Sequence, residues 1–433
     1  MGYENWVTYT LGDVCTVTDC QHKTAPSVDF KTPYKMLRTS NIRNGRIDNI
    51  NVNYVTREIY EEWSVRGKLE FNDVILTREA PMGEVGIIKS EEKFFLGQRM
   101  LQLKANRNII TPDFLYYALQ AKELQNQIKM QEGTGSVVSN IRIPLLKKFS
   151  VSLPRTIQQQ ERITKILRDI DNKIEINNEI NKGLEELAQT IYKRWFIDFE
   201  FPVGKGETYK TSGGKFVDSD LGLIPEGWRV SQLNEIFNIV NGFAFQSKNY
   251  LEDGLYKVVT IKNVEDGFFD KQNFKTINEL PLKLKEEQKI KECDILMSLT
   301  GNVGRVCLAY GNDLMLNQRV AKITPKNIKM NGFIYVLLRN NRTKDMIVRI
   351  GKGTAQQNLS STELKNLPCI LPSTKHGNLL FSFNEIISKI VGNFKEIETL
   401  IELRNTLLPK LMSGEIHIPE VEGEMERCLQ RVN

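Results

Sequence analysis

Residues 158–196 read QQQERITKILRDIDNKIEINNEINKGLEELAQTIYKRWF, and this stretch decides the fold. It holds no proline and a single glycine, Gly183. Ile163, Ile166, Ile170, Ile180, Leu184, Leu187 and Ile191 recur at steps of three and four, the spacing that lines one face of an α-helix. A second stretch does the same with Phe383, Ile387, Ile390, Phe394, Ile397, Ile401, Leu408 and Leu411, Arg404 taking one seam position. Heptads sustained this long, twice in one chain, predict two helices that pair antiparallel as a coiled coil rather than each lying on its own globule.

Outward from these helices the sequence repeats itself, and a long-period repeat fixes an architecture before any motif does. Trp6, Leu11 and Val14 recur as Trp228, Leu233 and Ile236, a shift of 222 residues (228 − 6). The same shift relates Tyr34-Lys35 to Tyr256-Lys257, Asn41 to Asn263 and Asp48 to Asp270. Asn44-Gly45 and Asp266-Gly267 between them predict one tight hairpin turn written twice, with positive φ at both central residues. Farther on the shift drifts to 218, relating Gly83-Glu-Val-Gly86 to Gly301-Asn-Val-Gly304. Gln98-Arg99 answers Gln318-Arg319, Gly135-Ser136 answers Gly353-Thr354, and Asn140 answers Asn358. Leu153-Pro154 and Leu371-Pro372 close the two copies.

Within each copy, apolar runs such as Val74-Ile75-Leu76 and Ile295-Leu296-Met297 predict strands. Pro112–Met130 and Gly332–Val348 predict one helix each. The expected fold is therefore α+β, with two mixed α/β domains in pseudo-two-fold tandem repeat and a long antiparallel coiled coil. The expected boundaries are residues 1–154 and 225–372 for the domains, 155–200 and 373–414 for the helices, and 415–433 for a polar tail. The six glycines between Phe201 and Trp228 predict an extended linker, placed at 201–224.

Composition narrows the class. Fifty-nine basic and 53 acidic residues leave a formal charge of +6, which suits a nucleic-acid partner without requiring one. Six cysteines show no C-x-x-C pair and only three histidines occur, so no metal site is expected and the thiols read as reduced. The first residues, MGYENW, lack a basic and apolar leader, and no apolar run reaches the ~18 residues of a membrane span, which predicts a cytoplasmic protein. There is no G-x-x-x-x-G-K-[ST] loop for nucleotide phosphates and no Asn-Pro-Pro-aromatic tetrapeptide for holding a flipped base. An enzyme with its own nuclease or methyltransferase site is disfavoured on that ground.

A two-fold related pair of globules matches the symmetry of duplex DNA, whose half-sites lie about 34 Å apart per turn. A helix of ~36 residues is ~54 Å long, so the expected target is two short words with an unread gap. The block LPRTIQQQERITKILRDIDNKIEINNEINKGLEELAQTIYKRWFIDFEFP (153–202) resembles the central region of Type I restriction–modification specificity subunits. LGLIPEGW (221–228) and LLPKLMSGEI (407–416) resemble the same family, in the same order along nearly the whole chain. The resemblance implies two target-recognition domains and assembly with two methyltransferase subunits, joined by restriction–translocase subunits. It implies that S-adenosylmethionine, ATP and Mg belong to those partners and that this chain reads DNA without catalysis. One departure is visible: the second helix is preceded by PSTKHGNLLFSF where the first has PRTIQQQER. The competing readings are a non-catalytic coiled-coil adaptor and an inactive or variant specificity copy.

If the halves read different words, residues shared by both build the frame or hold phosphates, which carry no sequence information. Gln98, Arg99, Gln318 and Arg319 fall in that group. The G-x-x-G turns either offer backbone N–H groups to a phosphate or are simple tight turns. Polar residues that change between copies are the candidate base readers, because Arg, Gln and Glu pair with base edges in the major groove. Around the hairpin these are Arg38, Ser40, Arg43 and Arg46, facing Thr260, Lys262, Glu265 and Phe268. Arg78-Glu79 faces Leu299-Thr300, and Arg305 follows the second G-x-x-G. Near the later glycines the candidates are Ser136 and Ser139 in one copy and Lys352, Thr354, Gln356 and Gln357 in the other.

Overall fold

The computed structural model of the chain describes residues 6–130, 140–204, 206–351 and 358–416. The chain divides into two compact units, one combining residues up to Ile174 with those from Thr399 onward, the other running from Glu175 to Glu398. Each unit thus holds one globule and a segment of each long helix.

In the first unit, four antiparallel strands lie in the order Cys15–Asp19, Met100–Ala105, Val74–Thr77, Val85–Ile87. Val74, Ile75 and Leu76 are fully buried, as a continuous apolar run demands of a central strand. A second sheet places Tyr34–Leu37 between Asn53–Tyr54 and the parallel strand Lys93–Leu96. Trp6–Thr10 pairs antiparallel with Ser150–Pro154.

The second unit repeats this plan. Phe237–Asn241, Val320–Pro325, Ile295–Ser298 and Val306–Leu308 follow the same order with the same antiparallel pairings. Tyr256–Val259 lies between Lys275–Ile277 and the parallel strand Leu314–Leu316, to which Lys289–Ile290 adds an edge. Arg229–Gln232 pairs with Pro368–Leu371.

Hydrogen bonding corrects one match of the repeat. Thr77 N–H bonds to the Glu84 carbonyl and Gly83 N–H to the Thr77 carbonyl. Ser298 and Arg305, with Gly304 and Ser298, make the same two bonds. Gly83 therefore answers Gly304 rather than Gly301, and Gly86 answers Cys307. The two glycine pairs are offset by three residues, because Gly83 and Gly304 share the backbone bond to the end of the preceding strand, with φ of +90° and +80°, while Gly301, also at positive φ, does not make it. The hairpin turn is also less alike than expected. Asn44 and Gly45 both have positive φ, whereas in the second copy only Gly267 does.

The helix expected after each sheet is two helices. Pro112–Gln120 and Lys122–Lys129 are separated by extended Ala121, and Asn331–Arg339 and Asn341–Gly351 by extended Asn340. The change of direction lets the second pieces bury Leu124 and Ile128, or Thr343 and Ile347, on faces a straight helix would point elsewhere. The stretch expected as an extended linker is folded: Pro202–Gly204 pairs with Glu207–Thr208, and Phe216–Val217 with Ile224–Pro225. Its aromatic residues decide this, not its glycines. Phe201 is fully buried and stacks on Tyr209 and Trp228, ring centroids 4.7 Å away in both cases.

The long helices run Ile157–Tyr192, with a wider turn over Lys193–Ile197, and Asn384–Ser413, after a short 3₁₀ stretch at Thr374–Leu380. The buried seam of the first is Ile163, Leu167, Ile170, Ile174, Asn177, Asn181 and Ala188. Ile180 and Leu187, expected in the seam, are exposed, and Leu184 and Ile191 are half-buried. The three-four step continues through polar asparagines, so following only apolar residues slips onto the outer face. In the second unit Asn393 Nδ2 donates to Asn181 Oδ1 at 2.7 Å, Asn181 Nδ2 to the Ile390 carbonyl at 3.3 Å, and Asn177 Nδ2 to Glu396 Oε2 at 2.9 Å. Numbers rise on one helix as they fall on the other, so these segments run antiparallel. On the second helix Ile387, Ile390 and Ile397 are buried, Phe394 and Leu408 half-buried, and Ile401 exposed. Among the described residues no helix is long and apolar enough to cross a membrane.

Candidate nucleic-acid interface

In each globule the loops bearing most of the candidate residues meet at one edge, stitched by backbone hydrogen bonds. In the first unit Gly97 N–H bonds to the Leu37 carbonyl, Arg78 N–H to that of Arg99, and Ile141 N–H to that of Arg78. Gln98 Nε2 donates to the His22 carbonyl at 3.1 Å. In the second unit Asn317 N–H bonds to the Val259 carbonyl, Leu299 N–H to Arg319, Leu359 N–H to Leu299, and Gln318 N–H to Phe243. This rim brings together Arg38, Ser40, Arg78, Glu79, Gln98 and Arg99, and in the other unit Thr260, Lys262, Thr300, Gln318 and Arg319.

A shared asparagine holds each rim. Buried Asn41 accepts from Arg38 N–H and donates to the Asn51 carbonyl. Buried Asn263 accepts from Thr260 N–H and donates to the Asp270 carbonyl. A fully buried amide with its hydrogen bonds made is a rigid support, since losing a partner costs about 1–3 kcal/mol.

The rim side chains differ in freedom. Arg78 is tied down: Nε donates to Asn140 Oδ1 at 2.7 Å and the Ile141 carbonyl at 2.9 Å, and Nη1 to Asp19 Oδ2 at 2.9 Å. It builds the rim rather than standing free to read a base, because its fork is already spent on three acceptors. Glu79 lies 3.4 Å from Arg99, a half-exposed pair that water screens and a phosphate could replace. Arg38 and Ser40 are exposed, Arg38 reaching the Asn51 carbonyl at 3.2 Å. Lys262, Gln318 and Arg319 are exposed, while Thr260 bonds to Asn263 and the Thr300 hydroxyl is buried without a partner.

Three candidates lie elsewhere, at the hairpin turn. The Gly45 carbonyl accepts from the Tyr116 hydroxyl at 2.6 Å, and Arg339 packs against Gly267. The turn is thereby docked on the helix pair, away from the rim. Arg43 donates to the Thr39 and Ile42 carbonyls, Arg46 flanks the docked turn, and Arg305 pairs with Glu265. The G-x-x-G turns do not present Gly83 and Gly304 N–H groups, which bond to the Thr77 and Ser298 carbonyls. Ser136, Ser139, Lys352, Thr354, Gln356 and Gln357 lie outside the described residues.

The rim also contains residues the repeat comparison passed over. Asp19 holds both Arg78 and His22, at 2.9 and 3.2 Å. Asp19, Cys20 and His22 bring potential ligand atoms within 4.8 Å of one another, but the Arg78 guanidinium on the same carboxylate opposes a cation there. In the second unit the equivalent segment carries Phe243 and Phe245. The sequence carries this difference, Gln21-His22-Lys23 in one copy against Phe243-Ala244-Phe245 in the other.

The sequence profile of the Type I restriction modification DNA specificity domain matches residues 3–186 and again 225–409. The chain is similar to the Type I restriction enzyme MjaIX specificity subunit of Methanocaldococcus jannaschii, 28% identical over 376 residues, spanning 85% of this chain and 82% of that one. It is 26% identical over 430 residues to the MjaVIII specificity subunit of the same organism, spanning 96% and 94%. Its fold is similar to that of the Type-I restriction-modification system S subunit from M. genitalium, with a TM-score of 0.55 at 18% identity over 95% of this chain and 97% of that one.

Proposed function

This chain belongs to the Type I restriction modification DNA specificity family, and from that premise we propose that it reads an asymmetric, two-part DNA sequence, one word per unit. The observation that carries this reading is the pair of globules with one strand order in the four-stranded sheet and different side chains on corresponding rims. Like frames hold like backbone phosphates, and unlike rims select unlike words. The exposed cations Arg38, Arg99, Lys262 and Arg319 supply the sequence-independent attraction to phosphates.

In this reading the chain is the recognition component and catalyses nothing. It directs two methyltransferase subunits and the restriction–translocase subunits to the site, in the cytoplasm where the DNA lies. S-adenosylmethionine, ATP and Mg are held by those partners, consistent with the lack of a phosphate-cradling loop in this sequence.

The test is a genome-wide methylation map of cells expressing this chain with its methyltransferase, against cells lacking this chain alone. A bipartite motif that vanishes with the chain supports the reading and gives both words. An intact complex with no motif overturns it in favour of an adaptor or an inactive copy.

A further inference from the structure

The most distinctive feature of the second rim is a cavity of about 190 Å³ lined by Phe243, Phe245, Gln246, Asn249, Ile277 and Glu279, with Ala244 and Pro281 completing it. Phe243 and Phe245 are half-buried and meet edge to face, ring centroids 5.1 Å apart. Such a pair keeps its shape while leaving aromatic surface open. The Phe243 carbonyl accepts from Gln318 N–H at 3.0 Å, so the cavity is continuous with the rim that carries Arg319. Lys248, in the short turn Ser247–Asn249, is exposed beside it. Gln246 and Asn249 are exposed and their side-chain amides make no hydrogen bond among the described residues.

The corresponding segment of the first unit reads Gln21-His22-Lys23. One copy is thus polar and basic where the other is aromatic, directly after the corresponding strands Cys15–Asp19 and Phe237–Asn241. Residues that differ on a common frame are the ones able to make the two words differ.

We propose that this cavity reads one A·T pair through the major groove, Phe243 and Phe245 packing on the thymine methyl and the amides of Gln246 and Asn249 meeting adenine N6 and N7. An A·T pair presents a methyl group beside a donor and an acceptor, and aromatic contact plus a side-chain amide is the matching set. A G·C pair offers no methyl to the aromatic wall. Lys248 in the adjoining turn and Arg319 on the adjoining loop suit a polyanion, and the exposed amides of Gln246 and Asn249 suit base edges rather than an apolar protein segment. This inference rests on the reading of the chain as a DNA-word reader and specifies which residues read.

The test uses the full chain with its methyltransferase partner and duplexes carrying the mapped motif, each thymine replaced in turn by deoxyuridine. Removing a single methyl in one word is expected to weaken binding by about fourfold. Phe243→Ala/Phe245→Ala should lose that sensitivity and accept other pairs at the same position, while the other word stays fixed. Gln246→Ala/Asn249→Ala, at exposed side chains whose loss leaves the core intact, should abolish sensitivity to 7-deazaadenine opposite that thymine. A word without an A·T pair, no deoxyuridine effect, or effects unchanged in both variants would overturn the assignment while leaving the two-word reading intact. Failure to find any motif would instead remove the reading itself.

Discussion

Arg404 on the second long helix donates to Asp171 on the first at 3.0 Å, and Asp171 accepts at its other oxygen from the Tyr117 hydroxyl at 2.8 Å. Arg404 and Asp171 are 15% and 20% exposed, so little water competes for the pair. Burial and the Asp171 charge push the Tyr117 phenol upward, keeping it a donor throughout the physiological range. Arg404→Ala should cost about 2–3 kcal/mol in urea unfolding, because it strands a carboxylate. Arg404→Leu combined with Asp171→Asn should return part of that loss, because the neutral amide oxygen still accepts from the Tyr117 hydroxyl. A double variant as unstable as Arg404→Ala would show that the pair acts through more than its charges.

Two glycines in helices should respond in opposite directions to alanine. Gly183 is exposed with nothing within 4 Å of a Cβ, so Gly183→Ala should raise stability by about 1 kcal/mol. At Gly332 a Cβ would lie 2.4 Å from the Phe383 backbone carbon, and Gly332→Ala should cost about 3 kcal/mol or prevent folding of the second unit. Thermal denaturation of the two variants side by side decides this.

Arg78→Lys keeps the charge and loses the fork that joins Asn140, Ile141 and Asp19. It should destabilise the first unit by about 2 kcal/mol and leave the methylated motif unchanged. A changed motif would return Arg78 to the set of base readers.

Arg319 is exposed, and the repeat supplies an arginine, Arg99, at the matching place in the other unit. Arg319→Ala should weaken binding to all duplexes alike and reduce the slope of log affinity against log salt by about one. A loss confined to one base position would show direct reading instead.

Burial pushes the thiols of Cys15 and Cys369 up to about 12, and that of Cys307 higher still. Native protein treated with iodoacetamide at mildly alkaline pH should stay unmodified at these three, since only the thiolate reacts. Cys293, half-buried, should be alkylated sooner. Peptide mapping before and after urea gives the comparison.

The architecture was legible because the repeat and the helical periodicity are long-range patterns that no single contact overrides. Local exceptions hid where tertiary contacts chose the outcome. Asn177 and Asn181 belong to the seam because each finds an amide or carboxylate partner on the other helix, which a hydrophobic count cannot see. The glycine-rich stretch before Trp228 folds because Phe201 and Tyr209 stack there. Of the candidate readers, Arg78 looked free and is bound by Asp19 and Asn140, distant in sequence. Phe243 and Phe245 are apolar and so carry no hydrogen-bonding signature in the sequence, whereas the polar Arg43, Arg46 and Arg305 lie at a hairpin docked on the helices.

The second unit is one unbroken stretch of chain, from Glu175 to Glu398, whereas the first needs residues from Thr399 onward to finish. Trp6 packs so closely on Gly414 that a Cβ there would sit 2.9 Å from the indole. During synthesis, then, the globule translated first is the last that can be completed. Until the segment from Thr399 onward emerges, Asp171 lacks Arg404 and Trp6 lacks Gly414, so the first unit cannot close. A chain stopped before Thr399 would hold every residue of the second unit and lack part of the first, so the globule begun earlier is the one that an early stop leaves incomplete.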